Sequence, residues 1–355
     1  MQEKQRRIML ICSILFFAAA MGWMLSFAMG RTDTAQGDAL VSGGSGMNPQ
    51  DEAYHKREYE GAAYEAKWQE ESLPLSFSSQ GGQGRLVVLL TETPDENALM
   101  IDSRYSLHEI LLILPGEYGE SMKNSTLTGT DEIQEVFLSR QEGFTRLRIC
   151  LDGIYEPVCS VEQGRIVLTL EKPQVRYDRI VVLDVSENGT DGSAGQSDWS
   201  ENIGDVWERI RSGLENEGIR VYGIWAEEGM TAEERAAFAN ELGADMMIAV
   251  RPAKAGSPGP GSCKILYNGT YFIPYFGNQQ LAVLLEQHLA QTGAADGTAR
   301  ISQEEILLQN AQVPAAVIEL DNSGDTLLSD ELYRASLAEG IAGAVMEAYT
   351  GMQNS

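Results

Sequence analysis

Four aliphatic residues in a row, Ile180-Val181-Val182-Leu183, end on Asp184 and open at once into a polar loop carrying Glu187, Asn188, Gly189, Asp191 and Gly192. A strand with one wet face alternates apolar and polar residues. A continuous β-branched run is therefore a strand buried on both faces, as in a parallel sheet covered by helices. Ligands and reacting groups in such sheets collect at the carboxyl ends of the strands. Asp184 and the loop after it are thus the first place to seek chemistry.

The chain from Pro173 onward follows the same plan, strands alternating with helices. Ile203, Val206, Trp207, Ile210 and Leu214 recur at helical spacing before Gly218, and RVYGIW follows as a strand. Thr231 and Glu234 make a capping box for a helix ending near Gly243, which leads into the strand MMIAV. The breaker SPGPGS, strand CKILYN, helix QQLAVLLEQHLAQ, a short helix capped at Ser302 with Glu305, strand AAVIEL and a last helix over 329–349 complete the pattern. The fold class predicted for 173–355 is α/β, three layers around a mostly parallel sheet.

Residues 73–172 read differently. RLVVLLTE, HEILLILPG, TRLRICLD, YEPVCSVE and RIVLTLE are strand-like, and Leu147, Ile149 and Leu151 alternate with Arg146, Arg148 and Cys150. A small β-sandwich is expected here. Cys150 and Cys159 fall in strands taken as adjacent, so they either bridge or remain thiols; no spacing matches a disulfide framework or a metal site.

Residues 8–30 form an uncharged apolar stretch of about the 20 residues a membrane-spanning helix needs. Lys4, Arg6 and Arg7 precede it and only Arg31 follows closely, which places residues 1–7 in the cytoplasm and the later domains outside the cell membrane. A cleaved signal peptide is the rival reading. Residues 31–72, Gly- and Ser-rich and then charged with interspersed aromatics, read as a linker and stalk. The net charge of -26 excludes nucleic acid as a bulk electrostatic partner.

Four pieces of the C-terminal domain, in order, resemble the zinc-dependent N-acetylmuramoyl-L-alanine amidases of bacterial cell-wall turnover, the amidase_3 family. The family's D-P-G-H-G-G-x-D-x-G-A is met by Asp184, Gly189, Asp191 and Ala194, with Glu187 at the zinc-binding His. Its second ligand, a Glu before the first helix, is matched by Glu201. R-x-x-x-A-N-x-x-x-A-D matches Arg235, Ala239, Asn240, Ala244 and Asp245, after which Arg251 stands where the third ligand, a His, belongs. P-A-V-L-V-E-L, which carries the family's catalytic glutamate, matches Pro314 to Leu320 and puts that glutamate at Glu319, while DNSGDT replaces the usual G-F-x-x-N. The stretch GFTRLRICLDGIYEPVCSVEQGRIVLTLEKP also loosely resembles the end of the AMIN domain that precedes some such amidases.

The resemblance implies a metal site at Glu187, Glu201 and Arg251, a catalytic Glu319, and Asp184, Asp191 and Asn240 nearby. Catalytic zinc takes three protein ligands and activates a water. A permanently cationic guanidinium has no lone pair to offer and repels the ion. Arg251 is therefore expected to take the metal's place among the carboxylates, with no cofactor, leaving a membrane-anchored amidase-like protein that binds peptidoglycan or regulates wall remodelling. Two alternatives stand beside it. One is an active zinc amidase cutting the muramoyl–L-alanine bond, and the other is an ectodomain that scaffolds envelope proteins. His55, His108 and His288 offer no replacement ligand set, and no H-E-x-x-H, G-x-S-x-G, P-loop or G-x-G-x-x-G is present.

Overall fold

The computed structural model describes residues 69–73, 75–77, 84–95, 98–123, 127–141, 143–185, 196–225, 229–253, 262–320 and 327–353. Residues 1–7, expected to be a cytoplasmic tip, the apolar segment 8–30 and nearly all of the expected linker lie outside them. Among the described residues no helix is long and apolar enough to cross a membrane.

Among the described residues ten strands precede residue 172: β1 (Gln69–Ser72), β2 (Leu75–Phe77), β3 (Gly84–Leu89), β4 (Met100–Arg104), β5 (Glu109–Pro115), β6 (Leu127–Gly129), β7 (Ile133–Gln141), β8 (Phe144–Leu151), β9 (Glu156–Glu162) and β10 (Arg165–Glu171). They form two five-stranded sheets, β1-β7-β8-β5-β4 and β2-β6-β3-β10-β9. Alternate side chains of both sheets meet in one apolar cluster, including Ile110, Leu112, Leu147 and Ile149 from the first and Leu86, Val88, Ile166 and Leu168 from the second. The period of two read in β8 holds for Leu147, Ile149 and Leu151, which are buried, and for Arg148 and Cys150 on the half-exposed face; Arg146, expected on that wet face, is buried instead, donating to Ser139 and Glu70. Gln69–Ser72, expected as the end of the stalk, is instead an edge strand paired with β7.

The two cysteines are not neighbours. β8 and β9 are consecutive in sequence but belong to different sheets. Cys150 lies beside Arg148 and Glu109 on the polar face of the first, Cys159 is buried in the apolar cluster, and no disulfide joins them. Adjacency in the chain misled because the chain changes sheets at Asp152–Tyr155.

The C-terminal domain has a six-stranded sheet of order β12-β11-β13-β16-β14-β15, formed by β11 (Ile180–Asp184), β12 (Arg220–Ile224), β13 (Met246–Pro252), β14 (Ser262–Tyr267), β15 (Asp296–Ile301) and β16 (Ala315–Leu320). The first four in that order run parallel; β14 and β15 are parallel to each other and antiparallel to β16. Helices α1 (Gln196–Asn216), α3 (Asn278–Thr292) and α5 (Glu331–Gln353) cover one face, and α2 (Ala232–Leu242) and the short α4 (Ile306–Asn310) cover the other. The expected three layers and mostly parallel sheet are present.

Local signals placed most boundaries. Ile203, Val206, Trp207, Ile210 and Leu214 all fall in the core. Thr231 and Glu234 make the reciprocal capping box, and Gly243 ends α2 in the left-handed conformation at φ 61. Ser302 is the exception. Its N–H continues the β15 ladder to Tyr267, and the N-cap of the short helix comes three residues later, at Glu305.

The two domains share a polar seam. Glu156 of β9, fully buried, accepts hydrogen bonds from Tyr105 at 2.9 Å and from Tyr222 of β12 at 2.5 Å, with Arg220 at 3.4 Å. Burial and the facing Glu156 carboxylate push both tyrosine pKa values far up, so the phenols stay protonated as donors. Glu241 of α2 adds a second clasp, accepting from the Ile154 N–H at 3.2 Å and meeting His108 at 3.0 Å. His108, weighed as a ligand from the sequence, is a seam residue.

Candidate functional site

The strand registers put the motif residues on one face. Arg251 of β13 is directly opposite Glu319 of β16, and Asp184 of β11 is opposite Ala249, two residues back along β13. Side chains alternate faces along a strand, so Asp184, Ala249, Arg251 and Glu319 all project toward α2 and α4. This is the carboxyl end of the parallel strands, where the sequence located the site.

Arg251 is held by two carboxylates. Its Nη1 and Nη2 donate to the two oxygens of Glu305 at 3.1 and 2.6 Å, and Nη2 also donates to Glu319 at 2.9 Å. The side chains of Arg251, Glu305 and Glu319 are 11, 10 and 7% exposed, so the triad is almost out of water. Burial alone would lower the Arg251 pKa. The hydrogen bonds and charges of Glu305 and then Glu319 outweigh it, and the guanidinium is held protonated more firmly than usual. Its Nε is buried and finds no acceptor among the described residues.

Sequence reasoning passed over Glu305, the bidentate partner, and treated it as part of a cap. Its position as the N-cap of a five-residue helix, with no side-chain cap bond, leaves its carboxylate for Arg251. No spacing in the chain announces this, because α4 reaches β13 only through the layering of the fold. Lys264 of β14, opposite Glu319 in register, is a further basic residue bordering the cluster.

Asp184, 1% exposed in its side chain, is ion-paired with Arg235 of α2 at 3.0 Å, so two residues of the amidase-like motifs meet. Asn240 does not join them. Its amide donates to Asn310 O and accepts from Gln312 N–H, tying α2 to the turn before β16, at the opposite end of the sheet. Asp245 is structural as well, accepting from the Ile180 N–H and the Tyr349 hydroxyl. Glu187 and Asp191 lie outside the described residues, and the Glu201 side chain is likewise not described.

Zinc does not fit what is described. The Arg251 guanidinium occupies Glu319 and Glu305 with its own hydrogen bonds, and a second guanidinium, that of Arg235, sits on Asp184. Among the described residues no three of His, Cys, Asp and Glu converge to hold a metal. What this arrangement does chemically, among the described residues, is neutralise buried carboxylates.

No family model matches the sequence, and no curated protein matches it. Among solved structures, an N-acetylmuramoyl-L-alanine amidase from Clostridium difficile 630 is similar at 17% identity with a TM-score of 0.42, covering 48% of this chain and 97% of that one. The amidase Ami1 from Mycobacterium smegmatis is similar at 18% identity and a TM-score of 0.40, over 50% of this chain and 99% of that one. The CwlD amidase from Clostridioides difficile, solved in complex with the GerS lipoprotein, gives 13% and 0.35 over 48% of this chain and 98% of that one.

Proposed function

We propose that this chain is a cell-membrane protein, anchored through residues 8–30 with its folded domains outside, whose amidase-like domain has lost zinc-dependent catalysis. It binds peptidoglycan, or regulates the proteins that remodel it, by keeping the amidase shape. The two N-terminal sheets are read as an AMIN-like sandwich that assists this binding. The observation that carries the proposal is the buried pairing of Arg251 with Glu319, residues that the sequence resemblance aligns with a zinc ligand and with the catalytic glutamate.

The test is metal analysis of the purified full chain together with dye release from labelled peptidoglycan and sedimentation with purified sacculi. Substoichiometric zinc, no release and co-sedimentation are expected. Stoichiometric zinc with release that Glu319→Gln abolishes would establish the active amidase instead, cutting the bond between N-acetylmuramic acid and L-alanine. A metal-free chain that stays in the supernatant would favour the envelope scaffold.

A further inference from the structure

β15 closes one end of the six-stranded sheet, and among the described residues no strand pairs with its outer side. In a parallel ladder each residue turns its N–H and its C=O to the same neighbouring strand, and successive residues alternate. The Ser302 N–H donates to Tyr267 O at 2.9 Å, so Ser302, and with it Arg300 and Thr298, turn their backbone groups toward β14. Gly297, Ala299 and Ile301 therefore present theirs to the open edge. A row of this kind is a template for strand addition, and every copy of the chain carries the same strand.

One side chain occupies the middle of that row. Glu286 of α3 accepts the Ala299 N–H at 3.1 Å. α3 lies over the strand here, since a Cβ on Gly297 would be 3.9 Å from the Glu286 Cα, and the half-buried carboxylate reaches from the helix to the outer side of β15. A bond from an N–H to a carboxylate is charge-assisted and roughly twice as strong as one to a neutral carbonyl. A strand arriving at this edge offers the Ala299 N–H only a carbonyl in exchange.

We infer that Glu286 guards the open edge: by occupying the Ala299 donor it keeps the sheet from continuing, strand against strand, into a second copy of this chain. Two copies meeting through β15 join about a two-fold axis with the strands antiparallel. Centred on Ala299, that pairing gives each Ala299 N–H to the other copy's Ala299 carbonyl and sets Gly297 opposite Ile301. Both donors are already taken, and the two Glu286 carboxylates would be pressed together beside the axis, like charge against like. The strand itself raises no other obstacle. Thr298 and Arg300, both exposed, fall opposite each other, so no like charges meet along the strands, and no proline interrupts 296–301.

The experiment compares the full chain with Glu286→Ala, Glu286→Gln and the double variant Glu286→Ala with Ala299→Pro, in a non-ionic detergent at about 0.15 M salt, where distant charges are screened. Glu286→Ser, also too short to reach Ala299, is the second variant should Glu286→Ala not fold. Sedimentation velocity over a wide range of concentration reads association, and hydrogen exchange reads the amides of Gly297, Ala299 and Ile301. Glu286→Ala should add a concentration-dependent dimer that the parent lacks, with exchange at Gly297 and Ile301 slowed about tenfold or more. Glu286→Gln, whose amide oxygen still accepts the Ala299 N–H, should sediment as the parent does. Ala299→Pro deletes the central donor at an edge position that tolerates proline and should abolish the new dimer. A Glu286→Ala chain that behaves as the parent at every concentration overturns the inference. So does a dimer that survives Ala299→Pro or leaves exchange at 297–301 unchanged, and so does association of Glu286→Gln to the same degree as Glu286→Ala.

Discussion

Removing the Arg251 guanidinium should be among the most damaging single changes to the C-terminal domain. Arg251→Ala leaves Glu305 and Glu319, 10 and 7% exposed, facing each other without a counter-charge. Breaking a buried pair from one side costs about 3–5 kcal/mol, because the surviving charge keeps its desolvation penalty and loses its compensation. At roughly 2–4 °C per kcal/mol for a domain of this size, the melting temperature should fall by about 6–20 °C. Arg140→Ala is the control: that side chain is 39% exposed and pairs with Glu71 and Glu120 at the surface, where a bridge contributes about 0–1 kcal/mol. A triple variant, Arg251→Met with Glu305→Leu and Glu319→Leu, should recover the loss or exceed the parent by about 1–4 kcal/mol, since apolar packing often matches a buried ionic cluster. Urea unfolding and thermal melts of the four proteins decide the matter. An Arg251→Ala loss no larger than that of Arg140→Ala would refute the idea that the guanidinium balances the buried carboxylates.

Other expectations follow from the same structure. Glu156→Ala removes the buried carboxylate that Tyr105, Tyr222 and Arg220 share in the seam and should cost about 3–5 kcal/mol, with both domains losing protection together in hydrogen exchange. Gly223→Ala would bring a Cβ to 2.9 Å from the Trp207 ring, so a penalty of about 1–3 kcal/mol is expected in urea titrations. The hydrogen bond from Arg148, with its charge, holds the Glu70 carboxyl below its ordinary value of 4.5 despite partial burial. The folded pKa is depressed, so this stabilisation is complete above about 4.5 and is lost as pH falls through the folded value; Glu70→Gln should flatten the acid limb of a stability–pH curve. Peptide mapping without reduction should recover Cys150 and Cys159 as separate alkylated thiols.

Much of the fold was legible along the chain because its signals are local. The run Ile180–Leu183 required a doubly covered strand, the period of Ile203 to Leu214 required a helix, and Thr231 with Glu234 marked where α2 begins. β4 and β7 escaped notice since their polar residues break the alternation, and Ser302 imitated a cap because a hydroxyl three residues before Glu305 has the right spacing whichever element follows.

The sequence alone determined the layered α/β plan and that Asp184, Arg251 and Glu319 end neighbouring strands, which depend on residue type and order. Tertiary structure decided the partners. Glu305 meets Arg251 across 54 positions and Asp184 meets Arg235 between a strand and the helix above it. Asn240 points away from them, and Cys150 and Cys159 part into different sheets. Charges buried at close range select their counter-charges by position in space, and nothing in the spacing of a chain encodes which distant carboxylate the layers will bring within 3 Å of a guanidinium.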